Sequence, residues 1–189
     1  MQTNRKIGKL PLVAVIVTAG MLMWAYAARA QGQTQAKAKT QAATTQGGNS
    51  VEKNTNFQAK GSFEPTLVPQ PPDDKAEGST LGRMSISKKF HGDLEATSEG
   101  QMLTATTDVK GSAGYVAIER VTGTLQGRRG SFVLQHTGTL NHGAAQLSVS
   151  VVPDSGTGQL AGIAGTMTIQ IAADGKHSYQ FEYILPGMP

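Results

Sequence analysis

The stretch from Gly114 to Leu140 constrains the fold more than any other part of the chain. Tyr115, Ala117, Glu119 and Val121 alternate with Val116, Ile118 and Arg120. After a glycine-rich turn, Phe132, Leu134 and His136 alternate with Val133, Gln135 and Thr137. Successive side chains of a strand project to opposite faces, so this two-residue period predicts a pair of strands. Gly123, Gly127 and Gly130 would each cost a helix about 1 kcal/mol relative to alanine.

The same period runs through the rest of the chain from Gly61. Strands are expected over 62–68, 81–90, 94–106, 144–152, 166–171 and 179–185, with a bulge at Gly100. In the second of these, Met84, Ile86 and Lys88 alternate with Arg83, Ser85 and Ser87. Asp174-Gly175 predicts a tight hairpin of the type that needs positive φ at both central positions. With the central pair this makes about eight short, evenly spaced strands. Eight can close on themselves around packed side chains or one small ligand, and closure removes the edges that invite aggregation. The expected fold is therefore all-β, an eight-stranded antiparallel closed β-barrel.

Residues 1–30 read as a secretory signal peptide, expected to be helical: a basic start, an apolar run, and Ala28-Arg29-Ala30 as a cleavage site. The alternative is an uncleaved anchor, because Leu12–Ala28 is just long enough to span a bilayer. Residues 31–60 are rich in Gln, Thr and Ala and poor in large apolar residues, which predicts a disordered linker. Residues 61–189 form the barrel domain. The protein is expected in the periplasm or outside the cell, with no stable membrane insertion once the leader is removed.

The +4 net charge belongs to the leader, since from Gly61 onward 9 basic residues face 12 acidic ones. A nucleic-acid partner needs a basic patch on the domain, and Lys88-Lys89 and Arg128-Arg129 read instead as solvated turns or strand ends. The absence of cysteine excludes disulfides and thiolate chemistry.

Four runs carry a resemblance: 89–94 (KFHGDL), 116–125 (VAIERVTGTL), 130–138 (GSFVLQHTG) and 152–165 (VPDSGTGQLAGIAG). In this order they resemble a bacterial family of unknown function whose members are similar to the allene oxide cyclase barrel. The resemblance implies the eight-stranded barrel. It does not imply cyclase activity, because function does not follow from fold.

The site candidates follow from the inward faces. Glu119 shares a face with Tyr115, Ala117 and Val121. Inside a barrel its carboxyl would be desolvated and its pKa raised, which suits a catalytic acid or base; the alternatives are a salt bridge to a neighbouring strand and a rim position at the strand end. Candidate ligand-binding residues are Tyr115, Phe132, His136, Tyr179, Phe181 and Tyr183, with the last three forming an aromatic row that either fills the core or walls a pocket. No histidine spacing predicts a metal, and no motif predicts a cofactor. The expected function is an exported barrel binding a small, partly apolar molecule. The alternatives are an isomerase or cyclase-type enzyme using Glu119, and a structural or adhesive envelope module.

Overall fold

The structure, a computed structural model, describes residues 56–71 and 74–187. The expected signal peptide and all of the expected linker before residue 56 lie outside the described residues.

The chain runs through β1 (Phe57–Pro69), a short β2 (Asp74–Ala76), β3 (Ser79–Gly92), β4 (Leu94–Thr107), β5 (Ala113–Leu125), β6 (Arg128–Asn141), β7 (Ala144–Val151), β8 (Ala164–Ile171) and β9 (His177–Ile184). Neighbours in sequence pair antiparallel from β3 to β9, and β1 pairs with both β9 and β3. That double pairing closes eight strands into a barrel. β2 stays outside the ring and covers the stretch of β3 beyond the reach of β1.

Alternation decides what faces inward. Ala117, Glu119 and Val121 are at most 2 % exposed, whereas the alternate residues Val116 and Ile118 are about half exposed. Phe132, Leu134 and His136 face inward likewise, and Arg120 and Gln135 face solvent. The two-residue turns Gln126-Gly127 and His142-Gly143 both take positive φ, the geometry that matches strand twist.

One half of the barrel is packed and capped. Phe63, Phe90, Leu94, Leu125, Phe132, Phe181 and Tyr183 form its core. Burying each such side chain contributes about 1.5–3 kcal/mol. The connection between β7 and β8 folds across this end with a single 3₁₀ turn, Gly158–Leu160, and buries Leu160 and Ile163. Hydrogen bonds from the amides of Ser131 to Thr157 Oγ1 (3.1 Å) and of Arg129 to Gln159 Oε1 (2.9 Å) fasten this plug to β6. The other half is less deeply buried. Its inward-facing Leu67, Met84, Met102, Thr104, Tyr115 and Ile171 are only half-buried.

Four details differ from the sequence expectation. β1 begins at Phe57, so 57–60 are strand; Phe57 and Ala59 supply inward side chains that the polar composition around them obscured. The register across Gly100 is uninterrupted, with Gly100 opposite both Ile86 and Glu119, so there is no bulge. Asp174-Gly175 sits in a five-residue loop where only Gly175 has positive φ, and the Asp174 carboxylate accepts the Lys176 amide at 3.2 Å. Lys88, expected in solvent, is 7 % exposed and points into the barrel.

Candidate functional site

Where the packed half meets the less buried half, four strands direct polar groups at one point. β5 supplies Glu119, β6 His136, β3 Lys88 and β4 Ser98. Each is placed by the alternation that buries its neighbours: Lys88 lies between the inward Ile86 and Phe90, and His136 follows the inward Leu134. β4 contributes one more device. Gly100 stands opposite Glu119, and a Cβ there would lie 2.6 Å from Glu119 Cα and 2.7 Å from its Cβ. The missing side chain makes room for the carboxylate arm.

Glu119 is the hub and is fully buried. Its Oε1 accepts from Lys88 Nζ at 2.5 Å and from His136 Nε2 at 2.8 Å. Its Oε2 accepts from Ser98 Oγ at 2.7 Å. An ionised carboxylate only accepts, so His136 carries its proton on Nε2 and presents Nδ1 as a lone pair. Nδ1 has no hydrogen-bond partner among the described residues, and no unpartnered polar side-chain atom there is sealed from solvent. Lys88 Nζ also sits 5.2 Å from the centre of the Phe63 ring and 5.9 Å from that of Phe90, within cation–π range.

Burial alone would raise the Glu119 pKa. The hydrogen bond from His136 and the charge and hydrogen bond of Lys88 outweigh it and hold the carboxyl at about 2. This reverses the elevation expected from the sequence: the carboxylate stays ionised. Burial lowers His136, with the Lys88 charge adding to the effect and Glu119 opposing it, so the imidazole is neutral near pH 7. Burial also lowers Lys88 against the pull of Glu119. Burial and then the Glu119 charge push the Tyr115 phenol up. His177 packs on Phe63 with ring centres 5.1 Å apart; burial and then the Lys88 charge lower its pKa.

Of the residues singled out from the sequence, Glu119 and His136 meet directly, and Tyr115 lies within their electrostatic reach. Phe132, Tyr179, Phe181 and Tyr183 instead belong to the packed half. Phe181 stacks on Phe132 and Tyr183 at 5.6 and 5.2 Å between ring centres. Tyr179 Oη accepts the Leu94 amide at 2.9 Å, and Tyr183 Oη donates to Gln126 Oε1 at 2.7 Å. Lys88 and Ser98 were missed. The signal for Lys88 was present in its place after Met84 and Ile86 on the apolar face. A groove of about 320 Å³ runs over β1, β3 and β4, lined by residues that include Thr66, Ser85, Glu99 and Gly100 and by none of the four side chains of this cluster.

The fold and the cluster define a class: a closed antiparallel barrel, plugged at one end, with an ion pair and a neutral histidine across its interior. The chain belongs to the family described as "Protein of unknown function (DUF3224)", whose model matches residues 59–183. It is similar to the crystal structure of a protein of unknown function from that family in Shewanella oneidensis MR-1. The two share 47% sequence identity with a TM-score of 0.66, covering 71% of this chain and 100% of the other. No curated protein matches the chain.

Proposed function

We propose that this is an exported barrel protein that takes a small, partly apolar molecule into its less buried half, with the polar cluster as the floor of a chamber. One observation carries the reading. A lysine, a glutamate and a histidine are buried together below half-buried apolar side chains, and Lys88 uses one of its three N–H bonds in its hydrogen bond to Glu119. A polar group in a mostly apolar chamber fixes a ligand's orientation, as in small-molecule sites generally. Export is supported by the leader's basic, apolar and small-residue order. The test is native mass spectrometry of protein purified from its own periplasm. A co-purified small molecule, lost when Met84 and Met102 at the mouth are enlarged to Trp, is the expected result. Bare protein, together with alkanol probes that leave the lumen-facing amides unshifted in NMR spectra, defeats the reading.

A second reading is an isomerase or cyclase-type enzyme, in line with the resemblance to the allene oxide cyclase barrel. The inward Glu119–His136 pair favours it. With Glu119 held ionised, proton transfer would pass through His136 Nδ1, so His136→Gln would abolish turnover and leave ligand binding intact. An adhesive envelope role is the third reading. Leu103 and Val116, paired across β4 and β5, are 53% and 49% exposed beside Ile118 at 50%. Retention in the envelope, reduced by Ile118→Ser with lumen binding unchanged, would select it.

A further inference from the structure

We propose that Lys88 captures a small aldehyde covalently, forming a protonated imine inside the barrel with Glu119 as its counter-ion. The inference rests on the reading of the less buried half as a ligand chamber and names the reactive group of the ligand.

Three observations carry it. The Lys88 ammonium lies 2.5 Å from a carboxylate, and among the described residues it makes no other hydrogen bond. Phe63 and Phe90 wall it, and His136 lies on the same carboxylate oxygen. The charges at the cluster already cancel: Lys88 is positive, Glu119 negative and His136 neutral. A carboxylate ligand would bury an uncompensated charge, which is costly. A carbonyl compound leaves the total unchanged, since ammonium plus aldehyde gives iminium plus water.

The steps balance. Lys88 passes one proton to the lone pair of His136, relayed through the lumen. The freed amine attacks the carbonyl carbon, forming a C–N bond while the carbonyl oxygen takes up a proton. The resulting carbinolamine loses its oxygen as water after a second protonation, which uses the proton held on His136, and the C=N bond forms. The first of these two oxygen protons comes from the attacking nitrogen. One positive charge remains beside Glu119 throughout, over the two aromatic rings. Desolvation, which lowers the lysine pKa, favours the nucleophilic amine.

The test uses the full chain with hexanal as probe, sodium cyanoborohydride as the trap, and peptide mass spectrometry as readout. Labelling of Lys88 is expected to exceed that of the outward-facing Lys89 several-fold, because the barrel would hold the probe beside a desolvated amine walled by two aromatic rings. Lys88→Arg, which retains the charge but forms no imine, is expected to leave no trapped adduct within the barrel, and the hexanol control is read on the unaltered chain. Hexanol acts as the non-reactive control, followed by NMR of lumen-facing amides. If hexanol binds there while hexanal labels only the exposed lysines, the covalent proposal is overturned and the chamber stands. If neither compound shifts those amides and Lys88 remains unlabelled, both fall.

Discussion

Glu119 keeps its charge at the centre of the barrel because three donors converge on it. Removing that charge leaves Lys88 buried without a counter-ion. Glu119→Gln should therefore cost about 3–5 kcal/mol in urea denaturation. Replacing the pair together, Lys88→Met with Glu119→Leu, should cost much less than the two single changes combined, and the difference reads their coupling. The pH dependence has a defined sign. Glu119 drops from 4.5 in the unfolded chain to about 2 in the fold, so its contribution is present above pH 4.5 and is lost as pH falls toward 2. His136 is also lowered, from 6.5, so below that pH the unfolded chain takes up a proton that the native one refuses. Both groups make stability fall with acid. Urea midpoints should rise from about pH 3 to about pH 7, and Glu119→Gln should flatten the lower part of that curve. Glu119 and His136 were legible in the sequence because each stood on an apolar face. The sense of the Glu119 shift was not, because it depends on Lys88, 31 residues earlier in the chain and two strands away. Lys88 itself was masked by its neighbour Lys89, a pairing that suggests solvent when read along the chain rather than across the strand.

At the level of strands, alternation carried most of the information. The inward sets of β5, β6 and β9 match the sequence reading residue for residue, because period two leaves no choice once one face is apolar. Close approach between strands was less visible. Gly100 suggested a bulge, yet it is a gap in the side-chain layer that Glu119 occupies from the next strand. Gly100→Ala should force the two strands apart or displace the carboxylate, with a loss of about 1–3 kcal/mol. Thermal melts would measure the loss, and a changed His136 ring signal in NMR would show that the carboxylate has moved. Turn chemistry was partly misread for a related reason. Asp-Gly signals a tight turn locally, but the spacing of β8 and β9 leaves five residues to connect, so the aspartate caps the loop instead.

The molecule as a whole has two unlike ends. Leu160 and Ile163 stop one of them, and neither was visible beforehand, because a glycine-rich connection reads as loop whether it hangs in solvent or folds inward. Leu160→Ala should cost about 2–5 kcal/mol by equilibrium unfolding, as for other fully buried leucines. The ring also has one thin junction. β5 and β6 match from Ala113↔Leu140 to Leu125↔Arg128, whereas β7 and β8 share the single match Ser150↔Thr166. A staved vessel splits where its staves are least joined. Parting the ring there would break the fewest backbone bonds, next to the connection that carries Leu160 and Ile163, so the wall is expected to yield first along that seam.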